Sequence, residues 1–177
     1  QGLSNRTDFD LKQHMEHSKT DLSLFDEESK KKILPHVICE PSMGVERAFL
    51  VFMFDAYHYD ESRDNVVLKL HPKLSPIKVG VFPLVSNKAD LVKNARDVYD
   101  ELKQEWNCTF DLSGSIGRRY ARADETGIPV CVTIDFESLE DASVTIRTRD
   151  DMSQIRVTIK DLKDILKRFM EGEKFTK

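Results

Sequence analysis

Cysteine is scarce in this chain, with 3 among 177 residues. Cys39, Cys108 and Cys131 lie far apart, form no Cys-x-x-Cys pair and sit in apolar surroundings. That spacing argues against a zinc site and against a disulfide framework, and it fits buried free thiols in a reducing compartment. Long hydrophobic runs are missing too. No stretch approaches the roughly 18 apolar residues of a membrane-spanning helix, because Arg47, Asp55 and Lys69 interrupt the richest segments. No basic stretch followed by an apolar one marks a secretory signal. A basic surplus is also lacking, since 27 Lys and Arg stand against 31 Asp and Glu for a formal charge of -4. That balance argues against indiscriminate phosphate binding and leaves room for a local basic face. The chain opens on Gln1 rather than Met, in mid-pattern, so a fragment or a processed chain is expected.

What is present describes an ordinary globular protein, 40% hydrophobic and 33% charged, without repeats or low-complexity tracts. Lys30, Lys31 and Lys32 form a short solvated charge run. Ile33 to Glu40 reads as a buried strand ended by Pro41. A helix then starts near Gly44, with Val45, Ala48, Phe49, Phe52, Met53 and Ala56 as its apolar stripe. Pro72 and Pro76 bracket a connector, which sets a domain boundary between 1–74 and 75–177.

Beyond the connector, strand and helix patterns alternate. Strands are expected at Ile77 to Leu84, Asn107 to Leu112, Pro129 to Phe136, Val144 to Arg149 and Gln154 to Ile159. Helices are expected at Ala89 to Glu105, Arg118 to Glu125 and Asp161 to Met170, the second ended by Gly127. The order β-α-β-α-β-β-β-α predicts an α/β domain, a mixed five-stranded sheet packed with three helices.

Three stretches, GLSNRTDFDLKQH at Gly2 to His14, PHVICEPSMGVERAFL at Pro35 to Leu50 and SGSIGRRYARADETGIPVCVTIDF at Ser113 to Phe136, resemble segments of glycyl-tRNA synthetases of the dimeric class II type. The linker VVLKLHPKLSPIKVGVFPLV is similar to the same family's. The resemblance covers essentially the whole chain in order. It implies the end of a class II catalytic domain, with an antiparallel strand and the motif-three helix, followed by an anticodon-binding domain. Motifs one and two are absent from these residues, so this chain alone is not expected to activate glycine.

The resemblance also assigns residues. Glu40, Pro41, Ser42, Met43 and Gly44 correspond to the glycine site, where a carboxylate suits the substrate ammonium and a hydroxyl can orient it. On the residues alone, an acid and a serine after a strand equally read as a helix cap. Gly44, Val45, Glu46 and Arg47 correspond to the ATP-binding segment, and Arg47 is the catalytic arginine on phosphate, a task that suits a permanently charged donor fork. Glu46 receives no chemistry of its own. ATP as substrate with Mg2+, tRNA(Gly) and glycine as partners, a homodimer, a cytoplasmic or organellar setting and no membrane association follow from the family. The main metal ligands are expected outside this chain.

Anticodon bases are unpaired, and proteins read them by stacking and by hydrogen bonds to exposed edges. Arg118, Arg119 and Arg122 beside Tyr120, Thr133 and Phe136 on the next strand, and Arg147, Arg149 and Arg156 on the last two strands form the candidate set, an exposed arginine rim. By resemblance Arg118, Thr133 and Phe136 lead it. Phe136 also reads as a core aromatic, and Arg119 and Arg149 as ion-pair partners of Asp124, Asp150 or Asp151. RRYARADE alternates in sign, so one face of that helix can be structural. His14 and His17 lack an evident third metal ligand and read as surface histidines, while Arg6 and Asp8 read as structural ion-pair residues. A non-catalytic, synthetase-like nucleic-acid-binding subunit is the alternative to a ligase. Retention of Glu40, Ser42, Gly44 and Arg47 argues for the ligase.

Overall fold

The computed structural model describes residues 4–37 and 42–173. The chain forms two compact units, Gln1–Val51 and Phe52–Lys177. In the first, helix α1 spans Phe9–Ser18 and ends where Lys19 turns left-handed (φ 56) and donates its N–H to the Met15 carbonyl. Strands β1 (Leu24–Asp26) and β2 (Lys31–Ile33) form an antiparallel hairpin, and Thr7 makes an isolated bridge to Val37. The expected strand from Ile33 to Glu40 is corrected: β2 stops at Ile33. Pro35 follows, and a residue without an N–H cannot continue a ladder. Residues 38–41 of that stretch lie outside the described residues.

Helix α2 spans Val45–Ala56, as the stripe predicts. Its apolar side chains are nonetheless open to solvent, Val45 at 80%, Phe49 at 65% and Phe54 at 76%, and only Ala56 is buried. After α2, β3 (Tyr57–Asp60) and β4 (Asn65–Leu68) make a second antiparallel hairpin.

Five strands then build one sheet: β5 (Val79–Pro83), β6 (Cys108–Phe110), β7 (Val130–Ile134), β8 (Ser143–Thr148) and β9 (Gln154–Thr158). The order is β6-β5-β7-β8-β9, with β6, β5 and β7 parallel and β8 and β9 antiparallel. This is the mixed α/β sheet the alternation predicts. The helices are α3 (Ala89–Leu102), α4 (Ile116–Glu125) and α6 (Ile159–Met170), joined by a four-residue helix α5 (Ser138–Asp141) that the patterning does not announce.

Alternation along the strands makes two cores. Val79, Val81, Val130, Val132, Val144 and Ile146 face Leu91, Ala95 and Val98 of α3 and Leu162 and Leu166 of α6. On the opposite face, Phe82 and Cys131 pack with Ala123 and Ile128 beneath α4. Cys108 and Cys131 are free thiols, pushed up by burial to about 11 and about 12, and so inert at neutral pH. Cys39 lies outside the described residues.

Local chemistry sets the helix ends. Ser115 caps α4 by accepting from the Arg118 N–H, and Thr158 caps α6 by accepting from the Asp161 N–H. At the far end of α4, the Ile128 N–H donates to the Ala123 carbonyl and the Gly127 N–H to that of Asp124, a Schellman closure. Gly127 has φ +76, and a Cβ there would stand 3.1 Å from the Leu68 carbonyl oxygen. Glycine is required on both counts.

Candidate nucleic-acid interface

The parallel strands β6, β5 and β7 end at one edge of the sheet, where ligands of open α/β sheets commonly bind. Their ends are tied together. The Leu84 N–H donates to the Ile134 carbonyl at 2.7 Å. Arg119, 1% exposed, donates to the carbonyls of Pro83 (2.5 Å), Leu84 (3.4 Å), Gly114 (3.2 Å) and Asp111 (3.5 Å). A single guanidinium therefore binds the ends of β5 and β6 to the turn before α4. Burial pulls its pKa down, and the Asp111 carboxylate opposes that shift.

Arg118 leads the exposed set. Its stem lies over Gly114, whose φ is +75 and whose absent Cβ would lie 3.5 Å from Arg118 Cδ. Its guanidinium makes no ion pair or hydrogen bond among the described residues and projects into solvent. Phe136, just past β7, is 49% exposed and belongs to neither core. Thr133 is buried and shares a hydrogen bond with the Tyr120 hydroxyl at 2.5 Å.

The expected exposed arginine rim is corrected at three positions, because Arg119, Arg147 and Arg149 are buried. Arg147 makes a two-pronged pair with Asp124, both contacts at 3.0 Å, and its guanidinium lies 4.7 Å over the Tyr120 ring. Arg63, in the β3–β4 turn, adds a third contact to Asp124 at 3.2 Å and donates to the Arg149 carbonyl at 2.6 Å. Its Nε lies 3.0 Å from Asp60 without hydrogen-bond alignment. Burial opposes the charge on Arg147, but the Asp124 carboxylate outweighs it and holds its pKa above the ordinary value. Arg149 donates to the carbonyls of Gly127 (2.9 Å) and Leu70 (2.8 Å) and pairs with Asp150. These arginines brace the frame behind the edge.

Two further arginines reach the surface already paired. Arg122 bonds the Asp111 carboxylate and the Ser113 carbonyl. Arg156 sits between Asp135 and Asp141. Bonds from Ser143 and Arg156 hold the Asp141 carboxyl down at about 2. Burial pushes Asp135 upward, but Arg156 prevails and its pKa is lowered.

In the first unit, Ser42, Met43, Gly44, Val45, Glu46 and Arg47 are all exposed, and Arg47 has no ion-pair partner among the described residues. Glu40 and Pro41 lie outside the described residues. Arg6 pairs with Asp10 and Asp8 with Lys12, each one helical turn away, rather than with each other. Among the described residues no cluster of three His, Cys, Asp or Glu is placed to hold a metal ion. No helix among them is long and apolar enough to cross a membrane.

The sequence reading missed Arg63, Asp135 and Asp141, and it placed Asp124 beside Arg119 or Arg149, whereas Asp124 pairs with Arg147 and Arg63. A signal existed for Asp124: Ile116, Arg119, Tyr120, Ala123 and Asp124 recur at spacings of three and four, so polar members of that stripe were candidates to face inward.

A family profile described as an anticodon binding domain matches residues 78–169. The chain is similar to glycine–tRNA ligases of Thermobifida fusca, 48% identical over 97% of this chain, and of Corynebacterium efficiens, 49% identical over 97%. That of Ruminiclostridium cellulolyticum is 51% identical over 91% of this chain. The chain spans 38%, 38% and 35% of the length of these three relatives.

Proposed function

The chain belongs to the anticodon binding domain family, and from that premise we propose that it is the anticodon-reading part of a glycine–tRNA ligase, joined to the end of a class II catalytic domain. The observation that carries the reading is identity near one half to glycine–tRNA ligases across 97% of the chain. The anticodon domain begins at about Ser75 in this reading, just before the profile match and β5. Arg118 and Phe136 are the base contacts, an exposed guanidinium and an open aromatic ring at one sheet edge. Thr133 acts from beneath through Tyr120, and Arg122 offers its charge at the same edge. Arg119, Arg147 and Arg149 hold that edge in shape.

The catalytic half binds glycine at Glu40 to Gly44 and ATP at Gly44 to Arg47. The Glu40 carboxylate holds the substrate ammonium, and Arg47 offsets charge on the α-phosphate as glycine attacks to form the adenylate. The exposed Arg47 guanidinium, unpaired among the described residues, supports that role. ATP comes with Mg2+ in this chemistry, and the described residues supply no ligand set for it. The working protein is a homodimer acting in the cytoplasm or an organelle. Fluorescence anisotropy with a glycine-specific anticodon stem-loop and an anticodon-swapped one tests the central claim. Tighter binding of the first is expected, and equal affinity for both would sink the reading.

A further inference from the structure

A pocket of about 330 Å³ opens at the start of β5, the end of that strand opposite the candidate anticodon edge. Trp106, Met170 and Pro72 give it an apolar wall, and Lys73, Lys78 and Lys167 also line it. Local structure fixes Lys78 in place. Its backbone N–H donates to the Asn107 carbonyl, next to Trp106, at 2.8 Å. Its ammonium donates to the carbonyls of Pro72 (2.7 Å) and Lys73 (3.0 Å), two residues of the pocket wall. The bond to Lys73 is exposed, so solutes can reach that nitrogen. An ammonium carries three N–H donors, so one remains for a ligand. Lys78 has no carboxylate partner among the described residues, and burial pulls its pKa down. Lys73 and Lys167 are exposed, and neither ammonium has an ion-pair or hydrogen-bond partner among the described residues. Lys163, on the same helix as Lys167, is by contrast paired with Glu101 and Glu105. Against the three pocket lysines stand the Glu171 carboxylate and the C-terminal end of α6, the latter worth roughly half a negative charge. The surplus is positive.

We propose that this pocket is a nucleotide site, with a phosphate group held by Lys73, Lys78 and Lys167 and the base lying against the apolar wall at Trp106. A phosphate group offers its acceptor oxygens to the three ammonium groups. The base offers the wall a flat, weakly polar face, and the volume falls where pockets for small organic ligands begin, at roughly 300 Å³. A free nucleotide and a nucleotide of tRNA outside the anticodon stem-loop share that chemistry. The site does not depend on the anticodon reading. Trp106 is the single tryptophan of the chain, so intrinsic tryptophan fluorescence reports on this pocket. Titrating the 177-residue chain with AMP should quench that fluorescence saturably, and inorganic phosphate should restore it. Adenosine, lacking the charge-assisted contacts, should need roughly tenfold higher concentration. Lys73→Ala and Lys167→Ala change exposed side chains and spare the carbonyls that hold Lys78. Each should weaken AMP about two- to fivefold, the scale of one exposed charge pair, and Glu171→Gln should tighten it. Adding tRNA(Gly) to the same chain separates the two sources. Quenching that both lysine substitutions weaken identifies the RNA strand, and an unmoved signal identifies the free nucleotide. If AMP leaves the fluorescence unchanged, quenches without saturating, or acts no better than adenosine, no phosphate is held there and the proposal falls.

Discussion

At the scale of single residues, the difficulty in this chain is telling an arginine that binds from an arginine that builds. Charge and neighbourhood look alike in sequence for Arg118 and Arg119, yet one projects into solvent and the other is 1% exposed. What separates them is helical phase, since Arg119 recurs with Ile116 and Ala123 on the inward stripe of α4 and Arg118 does not. Phe136 posed the opposite choice, and its 49% exposure makes it available for stacking. Phe136→Ala should therefore weaken stem-loop binding by about 1–3 kcal/mol and leave the thermal midpoint within a degree or so of the parent. A large drop in midpoint would mean that Phe136 belongs to the packing after all. Acid should act on Asp141 in a defined window. Its folded pKa of about 2 lies below the ordinary 3.8, so its bonds to Ser143 and Arg156 contribute stability above about pH 4 and lose it as pH falls toward 2. Asp141→Asn should flatten the acid limb of a stability–pH curve over that interval, and an unchanged limb would remove Asp141 from the account.

At the scale of elements, the alternation of strand and helix beyond the connector was legible because the helices bury one face and the central strands bury both. The three-to-four spacing of the helices and the short apolar runs of the strands survive in the sequence. Helix α5 escaped notice because four residues are too short to show any period. The β3–β4 hairpin escaped because its tip, rich in Asp and Arg, reads as loop, while its purpose lies in contacts distant in sequence. Arg63 reaches Asp124 across 61 positions, and Asn65 donates to the Ala121 carbonyl across 56. Asp124 is thus the carboxylate shared by the hairpin, α4 and β8. Removing its charge would leave Arg147 buried without an anion and Arg63 with Asp60 alone, a loss on the order of 3–5 kcal/mol. Asp124→Asn, followed by denaturant unfolding, should show that drop, and a cost under about 1 kcal/mol would mean that the arginines find other partners. Gly127→Ala should be costly as well, since φ +76 and a Leu68 carbonyl oxygen 3.1 Å from the new Cβ both oppose it.

At the scale of the whole molecule, charge sets the terms of RNA binding. The chain carries a formal charge of -4, so long-range attraction does not gather RNA, and the arginines of the sheet domain are mostly committed. Arg119, Arg147 and Arg149 are buried, Arg122 is paired with Asp111, and Arg156 with Asp135 and Asp141. Arg118 is the edge arginine left unpaired among the described residues, and the exposed Lys88 just before α3 is the cation beside it that can meet phosphate, so few phosphates are neutralised when a stem-loop docks. Counterion release gives a slope of log affinity against log salt of about -0.7 for each phosphate neutralised on single-stranded RNA. The slope here should be shallow, between about -0.7 and -1.5, corresponding to one or two phosphates. Anisotropy titrations over a series of salt concentrations measure it directly. Arg118→Ala should remove about 0.7 from its magnitude and lower affinity for cognate and swapped stem-loops alike if that residue meets a phosphate. If Arg118 meets a base, the slope should stay nearly constant while discrimination between the two stem-loops narrows. The second outcome is the one expected of a guanidinium held over Gly114 beside an exposed Phe136. A slope steeper than about -3 would contradict the account, because it would require four or more neutralised phosphates at an edge where most arginines are already paired among the described residues.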